Sequence, residues 1–469
     1  MNRVARVRVF QLPFTYRPDS MGGTEVYAEA LAERLKAHDI QSVVVAPGEA
    51  NAATECRGLR VRRYALGAQV TDPIDLFGEG DVTAVANFER VLDEERPDLV
   101  HLHAQTRGVS LRCLRAARRR RIPVVYTYHT PTATCQRGTL LRWGTEICEG
   151  VMQARDCTAC ALHGKGLPRP GAALLAALPE AVSALPGRAG LRGGLWTAVR
   201  MRELVALRQR CARAFLAEAD HVVAVCEWVR AVLLRNGVPP DKITLSRQGL
   251  CQEDTKAERG KLKAEGSEQK LDVSAFNFQP SAYREANVFR VAFLGRLDPT
   301  KGVDVLVRAV RAAADLRIAV DIFGVAQGAA GGRYAEQLRA MAADDARITF
   351  QAPVPASEVV ARLREYDLLA VPSQWLETGP LVVLEAFAAG VPVLGSRLGG
   401  IAELVREDVD GILVEPASVA GWTAALRTLA TEPDRLARLR TGIRPPRTMT
   451  TAAAEMAALY RRLLEKSPL

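Results

Sequence analysis

Two glutamates stand eight residues apart in segment 373–386. We predict a helix beginning near Pro380, because proline is favoured in a first helical turn. Glu377 then precedes this helix, and Glu385 lies within it among apolar residues. A carboxylate in apolar surroundings needs a hydrogen-bonding partner. The hydroxyls of a ribose would suit Glu385 and those of a sugar would suit Glu377. The alternative is a pair of structural helix carboxylates.

Two cations and two paired glycines also occupy positions suited to binding phosphate. Arg296 and Lys301 follow an apolar run at 288–294, where basic side chains can clamp the phosphates of a leaving nucleotide. Gly22 and Gly23 precede a predicted helix, whose amides and dipole favour an anion. The alternatives are solvated surface cations and an ordinary glycine turn. The amides at the start of the later helix complete the predicted ligand-binding set: Thr378, Gly379, Pro380 and Leu381.

His129 ends the apolar run at 123–129. A single histidine is more often a structural hydrogen-bonding residue than a catalytic one. Side chains that follow strands of a parallel sheet lie at its carboxyl edge, where ligands bind. We therefore predict that His129 belongs to the site.

Four cysteines follow His129 within a short, Cys-rich stretch. They are Cys135, Cys148, Cys157 and Cys160. A Cys-x-x-Cys pair with two further thiols suits tetrahedral Zn²⁺, which would hold together a loop that has no core of its own. His163 is an alternative ligand, an iron–sulfur cluster is an alternative metal centre, and free thiols are the alternative without metal. The other cysteines are dispersed and resemble small core residues.

Short apolar runs alternate with helical patterns along most of the chain. This alternation predicts an α/β fold with parallel, doubly wound sheets. The predicted strands of the first half are 6–12, 41–46, 99–103, 123–129 and 221–226, and those of the second half are 288–294, 318–324, 348–350, 368–371 and 391–395. We predict a strongly basic helix at 111–121 and a last helix at about 450–464.

The length of 469 residues suits two domains. We predict two Rossmann-like domains facing each other across a cleft. The N-terminal domain spans 1–251 with a Cys-rich insertion at 130–165, a polar linker or loop spans 252–287, and the C-terminal domain spans 288–449. The terminal helix, 450–469, is predicted to cross back to the N-terminal domain.

The excess positive charge lies entirely in the first half. Residues 1–250 hold 35 Lys and Arg against 25 Asp and Glu, which accounts for the whole net charge of +10. The surface is either simply solvated or attracts an anionic partner such as a membrane or a phosphorylated acceptor. No motif for nucleic-acid recognition accompanies the charge, so no nucleic acid is expected. The sequence has no signal-peptide pattern and no apolar stretch long enough to span a bilayer, which predicts a cytoplasmic protein.

The motifs together resemble the retaining GT-B glycosyltransferases of family GT4, also called group 1. The resemblance rests on Gly295-Arg296 with Lys301-Gly302, on the paired glutamates, and on an Ala-Gly-Val-Pro-Val stretch at 389–393 followed by Gly399-Gly400 and Glu403. Gly22-Gly23 and the stretch at 97–103 extend it over nearly the whole chain. Two positions depart from the family pattern: Glu377 is followed by Thr-Gly-Pro rather than x-Phe-Gly, and Arg247-Gln248-Gly249 replaces Pro-Asn-Gly.

The resemblance implies transfer of a sugar from a nucleoside-diphosphate sugar to a hydroxyl acceptor, with retention of configuration. It implies that the C-terminal domain binds the nucleotide sugar and that no catalytic metal is needed. The implied roles are phosphate binding by Gly23, Arg296 and Lys301, ribose binding by Glu385, sugar binding by Glu377, and a place for His129 beside the reacting sugar.

Three other functions remain open at this stage. They are a nucleotide-sugar epimerase of the same fold, a non-catalytic nucleotide-sugar-binding protein and a polyanion-binding module. The basic first half also predicts peripheral contact with the inner face of an anionic membrane. The sugar, the nucleotide base and the acceptor are not indicated by the residues.

Overall fold

The computed structural model describes residues 7–19, 22–68, 70–191, 193–250 and 288–466. The chain divides into two compact units. The first is Met1–Gln248 together with Met449–Leu469, and the second is Gly249–Thr448. The predicted linker at 252–287 lies outside the described residues.

The first unit contains a mainly parallel sheet built from apolar runs. The described strands of this unit are β1 (Val7–Leu12), β2 (Ile40–Gly48), β3 (Ala52–Cys56), β4 (Leu59–Ala65), β5 (Leu99–Leu102), β6 (Val124–Tyr128), β7 (Leu141–Arg142), β8 (Glu146–Ile147), β9 (His221–Ala224) and β10 (Ile243–Leu245). The sheet order is β10-β9-β6-β5-β1-β2-β4-β3, and β7 and β8 form a separate two-stranded sheet. Strands β5, β6 and β9 are buried throughout, as expected of parallel strands covered on both faces.

In the described part of the first unit, nine α-helices precede the second unit. They are α1 (Gly23–Leu35), α2 (Val82–Glu95), α3 (Leu111–Arg119), α4 (Ala154–Gly164), α5 (Arg169–Ala176), α6 (Glu180–Ser183), α7 (Leu185–Arg188), α8 (Gly194–Glu218) and α9 (Glu227–Arg235). The basic helix predicted at 111–121 is therefore α3, which ends two residues earlier.

The second unit has a six-stranded, fully parallel sheet in its described part. The strands are β11 (Phe289–Arg296), β12 (Ile318–Val325), β13 (Ile348–Gln351), β14 (Leu368–Val371), β15 (Val393–Ser396) and β16 (Gly411–Val414), in the order β13-β12-β11-β14-β15-β16. Its helices are α10 (Val303–Ala312), α11 (Gly328–Ala342), α12 (Val359–Leu363), α13 (Leu381–Ala389), α14 (Gly399–Leu404), α15 (Val419–Thr431) and α16 (Pro433–Gly442).

The last helix, α17 (Met449–Lys466), belongs to the first unit. Its apolar face joins a buried cluster with α1 and with residues of β1 and β6, in which Met456 and Tyr460 are fully buried. The amphipathic pattern at the end of the sequence thus packs on a sheet that is built from the beginning of the chain.

Both sheets have a switch point, where the strand order reverses. In the first unit the chain leaves β1 for β2 on one side and later returns to β5 on the other side. In the second unit the corresponding neighbours are β11 and β14. Ligands of doubly wound sheets bind at the carboxyl ends of strands beside such points. The predicted phosphate- and sugar-binding residues follow β1, β11 and β14, and His129 follows β6, which is the neighbour of β5.

Candidate active site

In the second unit, the predicted donor-binding residues follow β11 and its neighbour β14. Arg296 ends β11, and Lys301 ends a short 3₁₀ turn at Pro299–Lys301. Glu377 lies between β14 and α13. Helix α13 begins at Leu381 with Pro380 at its N-cap, close to the predicted start.

Lys301 and Glu377 form an ion pair in which the carboxylate is buried and the ammonium is partly buried. The Lys301 Nζ lies 2.5 Å from Glu377 Oε1, and the Ser373 hydroxyl donates to the same oxygen at 2.7 Å. Glu377 is 7% exposed. Burial alone would raise the pKa of this carboxyl, but the Lys301 ammonium and the Ser373 hydrogen bond outweigh it, and the pKa is lowered. Glu377 is therefore ionised at neutral pH.

Glycines bring the segments of this pair together. Gly302 has φ +67°, and a Cβ at this position would lie 2.0 Å from the Pro372 carbonyl oxygen. The Gly400 amide donates to the Glu377 carbonyl oxygen at 2.7 Å, and a Cβ on Gly400 would lie 2.7 Å from that same oxygen. The close approach of these backbones explains why glycines follow β11 and β15.

Glu385 lies on α13, eight residues after Glu377, and it is partly buried. Among the described residues it has no hydrogen-bond or ion-pair partner. Burial raises the pKa of its carboxyl to about 7. A carboxylate that is desolvated and unpaired is costly unless a ligand supplies donors. This environment agrees with the interpretation that Glu385 is a ligand-binding residue.

Arg296 is exposed at the end of β11 and has no carboxylate partner within the described part of the chain. The backbone from Thr378 to Leu381 leads into α13 and lies after the same sheet edge. One correction concerns this segment. Pro380 has no N–H, so only Thr378, Gly379 and Leu381 can donate backbone hydrogen bonds to a ligand.

In the first unit, His129 is part of a buried chain of polar side chains. His129 Nε2 lies 3.1 Å from His103 Nδ1, and His103 Nε2 lies 2.7 Å from Gln11 Oε1. Because an amide oxygen only accepts, His103 carries its proton on Nε2 and accepts through Nδ1. His129 consequently donates from Nε2 and has its lone pair on Nδ1.

Gln248 approaches the other ring nitrogen of His129. Its Nε2 lies 3.5 Å from His129 Nδ1, and Gln248 is 8% exposed. This residue is one of the two positions at which the sequence departs from the family pattern. The structure places the substituted side chain beside His129, where its amide can donate to the Nδ1 lone pair.

A second histidine on β5 extends the network to the last helix. The Tyr460 hydroxyl lies 2.5 Å from His101 Nδ1, and Thr127 Oγ1 lies 2.6 Å from His101 Nε2. The Gln11 amide donates to the same tyrosine oxygen at 3.4 Å. The sequence analysis used the stretch 97–103 only for the family resemblance and did not predict His101 or His103 as site residues, because their partners come from distant parts of the chain.

Burial keeps the three histidines neutral. It lowers the pKa of His129 to about 3. It also lowers the pKa values of His101 and His103 well below their usual range, with a further decrease from the neighbouring histidines. These rings therefore act through hydrogen bonds rather than through charge at neutral pH.

The paired glycines begin α1 as predicted, but they are not equivalent. The Gly22 amide donates to the Glu25 carboxylate at 2.9 Å, which closes the capping box of the helix. Gly23 is exposed, and a Cβ at this position would meet no atom within 4 Å. Of the pair, Gly23 has the open approach that a phosphate would need.

The four clustered cysteines are free thiols and lie outside regular strands or on α4. Among the described residues, no three His, Cys, Asp or Glu side chains are arranged to hold a metal ion. His163 Nδ1 lies 3.0 Å from the Leu167 carbonyl oxygen, which gives this residue a structural partner.

The arginines of α3 are largely paired with carboxylates. Arg115 binds both Glu79 and Glu218, at 2.9 and 2.7 Å. Arg119 pairs with Glu89 at 2.5 Å and Arg120 with Asp93 at 2.7 Å. The charge of this helix is thus partly neutralised within the first unit, which reduces its capacity to attract an anionic surface.

Two family descriptions match consecutive parts of the chain. "Glycosyl transferase 4-like domain" matches residues 22–248, and "Glycosyl transferases group 1" matches residues 277–444. The chain therefore belongs to the group 1 glycosyltransferases, and its α/β units have the GT-B fold. The predicted fold class and family are confirmed, and the epimerase and binding-protein alternatives are not favoured.

Among sequence relatives, the D-inositol 3-phosphate glycosyltransferase of Corynebacterium glutamicum is 38% identical over 180 residues. That match covers 36% of this chain and 42% of the relative. The enzyme of the same name from Nocardia farcinica is 40% identical over 159 residues, which cover 32% of this chain and 34% of the relative. The chain thus spans less than half the length of these curated relatives.

Solved structures resemble the chain over nearly its whole length. Sucrose-phosphate synthase from Thermosynechococcus elongatus has a TM-score of 0.63 at 18% identity, covering 98% of this chain and 100% of that one. HepE from Anabaena, solved with UDP and glucose, has a TM-score of 0.58 at 16% identity, covering 97% of this chain and 99% of that one. At these identities the similarity concerns the fold alone.

Proposed function

We propose that the protein transfers a sugar from a nucleoside-diphosphate sugar to a hydroxyl acceptor with retention of anomeric configuration. The observation that carries this proposal is the set of groups at the switch point of the second unit. Two cations follow β11, one of them paired with the buried carboxylate of Glu377, and the partly buried Glu385 has no partner in the described part of the chain. Together these groups match the phosphates and hydroxyls of a nucleotide sugar.

The second unit would bind the donor. Arg296 and Lys301 would neutralise the diphosphate, aided by amides at the start of α13. Glu385 would accept hydrogen bonds from the ribose hydroxyls, which would relieve its desolvation. Glu377, held ionised by Lys301, would accept from hydroxyls of the transferred sugar. In the transition state, negative charge develops on the departing diphosphate. Groups that stabilise this charge more strongly than they stabilise the bound donor would lower the barrier to transfer.

Retention would follow from attack on the face that the diphosphate leaves. The bond between the anomeric carbon and the phosphate oxygen breaks, and the bond to the acceptor oxygen forms on the same side. The proton of the acceptor hydroxyl passes to the departing phosphate. His129 is neutral and its Nε2 donates to His103. Its proposed role is to accept a hydrogen bond from a sugar hydroxyl through Nδ1, in exchange for the 3.5 Å contact with Gln248.

The first donors to test are uridine nucleotides, because similar folds were solved with UDP and with UDP-glucose. Ligands that bind only the folded state raise the melting temperature. We expect one nucleotide among UDP, GDP, ADP and dTDP, and its sugar conjugates, to stabilise the protein selectively. Arg296→Met should reduce this shift, whereas Arg308→Met, an exposed cation on α10 paired with Asp304, should retain it.

Turnover is tested with the stabilising donor and a panel of hydroxyl acceptors. We expect release of the nucleoside diphosphate that depends on the acceptor, a product with the donor's anomeric configuration, and slower turnover in His129→Ala. Interconversion of donor sugars without any acceptor would contradict transfer. Absence of stabilisation by every nucleotide would contradict the donor site itself.

We also propose that the first unit contacts an anionic membrane at the cytoplasmic face. The helices α5–α8 expose several large apolar side chains, and we suggest this region rather than α3. Those exposed by more than half are Leu174, Leu185 and Leu195, and large exposed apolar side chains are what a membrane-contacting surface needs. No described helix is long and apolar enough to cross a membrane.

Vesicles test this contact. The wild type should cosediment with vesicles containing anionic lipid at low salt, and Leu174→Glu with Leu195→Glu should reduce the bound fraction. Leu234→Glu, which changes an exposed leucine on α9, is the control and should bind normally. Lack of cosedimentation at every ionic strength would contradict the proposal.

A further inference from the structure

The cysteines that follow His129 lie on three adjoining pieces of backbone. Cys135 follows the 3₁₀ turn Pro131–Ala133, Cys148 follows β8, and Cys157 and Cys160 lie on α4. The Cys148 amide donates to the Leu140 carbonyl oxygen at 2.8 Å, across the β7–β8 hairpin. The hairpin and the cysteine loop are thus hydrogen-bonded at the point where β7 begins.

Helix α4 brings its cysteines against the same hairpin. The Trp143 amide donates to Cys160 Sγ at 3.3 Å, and Cys160 Sγ lies 3.8 Å from the Leu141 carbonyl oxygen. Arg137, two residues after Cys135, donates to the Cys160 carbonyl oxygen at 3.4 Å. Cys160 is therefore contacted both by the β7–β8 hairpin and by the loop that follows Cys135.

The four sulfurs share one electrostatic neighbourhood. Cys135 and Cys160 are neighbours of Cys148, and Cys135 and Cys148 are neighbours of Cys157. The Cys157 thiol lies 4.0 Å from the Val151 carbonyl oxygen, in the segment between Cys148 and α4.

A partly buried cation accompanies the cluster. Arg208 on α8 lies beside Cys135 and donates to the Thr132 carbonyl oxygen at 2.7 Å. Within the described residues it has no carboxylate partner. Four thiolates on a divalent ion carry two negative charges, and Arg208 is placed to offset part of that charge.

We propose that Cys135, Cys148, Cys157 and Cys160 bind a structural Zn²⁺ ion. Four thiols would release four protons and coordinate the ion as thiolates in a tetrahedron. Since the described side chains are not yet arranged as ligands, binding would require the thiols to rotate toward a common centre. The Cys-x-x-Cys pair in the first turns of α4 is the conventional half of such a site.

The need for this ion follows from the surrounding fold. Between β6 and α4 the described chain has only a 3₁₀ turn and two strands of two residues. An isolated two-stranded hairpin is marginally stable in water. The chain also adopts positive φ at Leu140 and Trp143, which costs conformational energy in non-glycine residues. A metal cross-link would hold the segment that follows directly on His129.

Metal content is measured on the full-length protein, purified without chelator from zinc-supplemented medium. We expect about one Zn per chain and spectroscopic features of tetrahedral thiolate coordination after Co²⁺ exchange. Removing the metal with a strong chelator should lower the melting temperature and make these thiols reactive. Cys157→Ser and Cys160→Ser should lose the metal.

The control is Cys56→Ser, which changes a partly buried cysteine on β3 and should retain full zinc content. If the serine variants do not fold, Cys160→His should still bind zinc, because imidazole is also a zinc ligand. A folded wild type without metal would overturn the proposal, as would iron in place of zinc. None of these readouts depends on the proposed transfer activity.

Discussion

Replacing Lys301 by methionine is expected to destabilise the folded protein by about 3 kcal/mol at neutral pH. The change leaves the Glu377 carboxylate, 7% exposed, without its countercharge. On the proposed function, kcat/KM should also fall by about 10²–10³, because a cation directed at the leaving diphosphate is lost. Chemical denaturation and steady-state kinetics measure the two effects.

The pH dependence distinguishes this mechanism from general damage. In the wild type the pKa of Glu377 is lowered, so its ionisation contributes stability above the unfolded-state pKa and is lost as the pH falls through the folded-state pKa. Without Lys301, burial dominates and raises this pKa. The deficit of Lys301→Met should therefore be larger at pH 8 than at pH 5.

A double-mutant cycle separates structure from chemistry. Glu377→Gln together with Lys301→Met removes both buried charges and should recover much of the lost stability, but not the activity. The matched control is Arg308→Met, an exposed i,i+4 pair on α10, which should cost less than about 1 kcal/mol. Equal losses of stability in Lys301→Met and Arg308→Met would contradict the buried pair.

Many strands, and the site residues that follow them, could be predicted because a buried parallel strand appears in the sequence as a short apolar run. The apolar run at 368–371, for example, has the same bounds as β14. Pro380 placed the start of α13 within one residue, and this fixed Glu377 in the loop before it. The contact between Lys301 and Glu377 spans 76 residues, yet it follows from β11 and β14 being neighbours at the switch point.

Other features left no local signal. The antiparallel β3–β4 hairpin at the sheet edge has a mixed polar pattern, and α8 begins within a stretch rich in glycine and proline. Gln11 and Tyr460 meet the histidines only because the last helix packs on the first sheet. No periodicity in either segment could reveal a partner hundreds of residues away.

Gln248 shows how a departure from a family pattern can be interpreted only in three dimensions. From sequence, the replacement of Asn by Gln put the contact to the site in question. The structure places the longer amide beside His129 Nδ1. The position therefore keeps an amide donor, although the side chain that carries it has changed.

Replacing Glu385 by glutamine is expected to stabilise the ligand-free protein at pH 8 while weakening nucleotide binding. Burial raises the pKa of Glu385 to about 7, against a usual value near 4.5. Between these values the folded protein holds a proton that the unfolded chain has released, so stability falls as the pH rises through this window. Removing the ionisable group should abolish that loss, a gain of ~1–3 kcal/mol at pH 8 and little at pH 4.5.

In the wild type, nucleotide affinity should change with pH in the opposite direction to the stability of the ligand-free protein. A ribose hydroxyl donates to the ionised carboxylate, so affinity should increase as the pH rises through about 7. Below that pH it should decrease by up to about tenfold per unit. Calorimetry in buffers of different ionisation enthalpy would detect the proton released on binding.

Glu385→Gln should bind weakly with a flat pH profile, and Glu336→Gln, which changes an exposed carboxylate on α11, should match the wild type. A ribose contact made elsewhere would leave the slope unchanged in Glu385→Gln, because the titrating group would then not be this carboxylate.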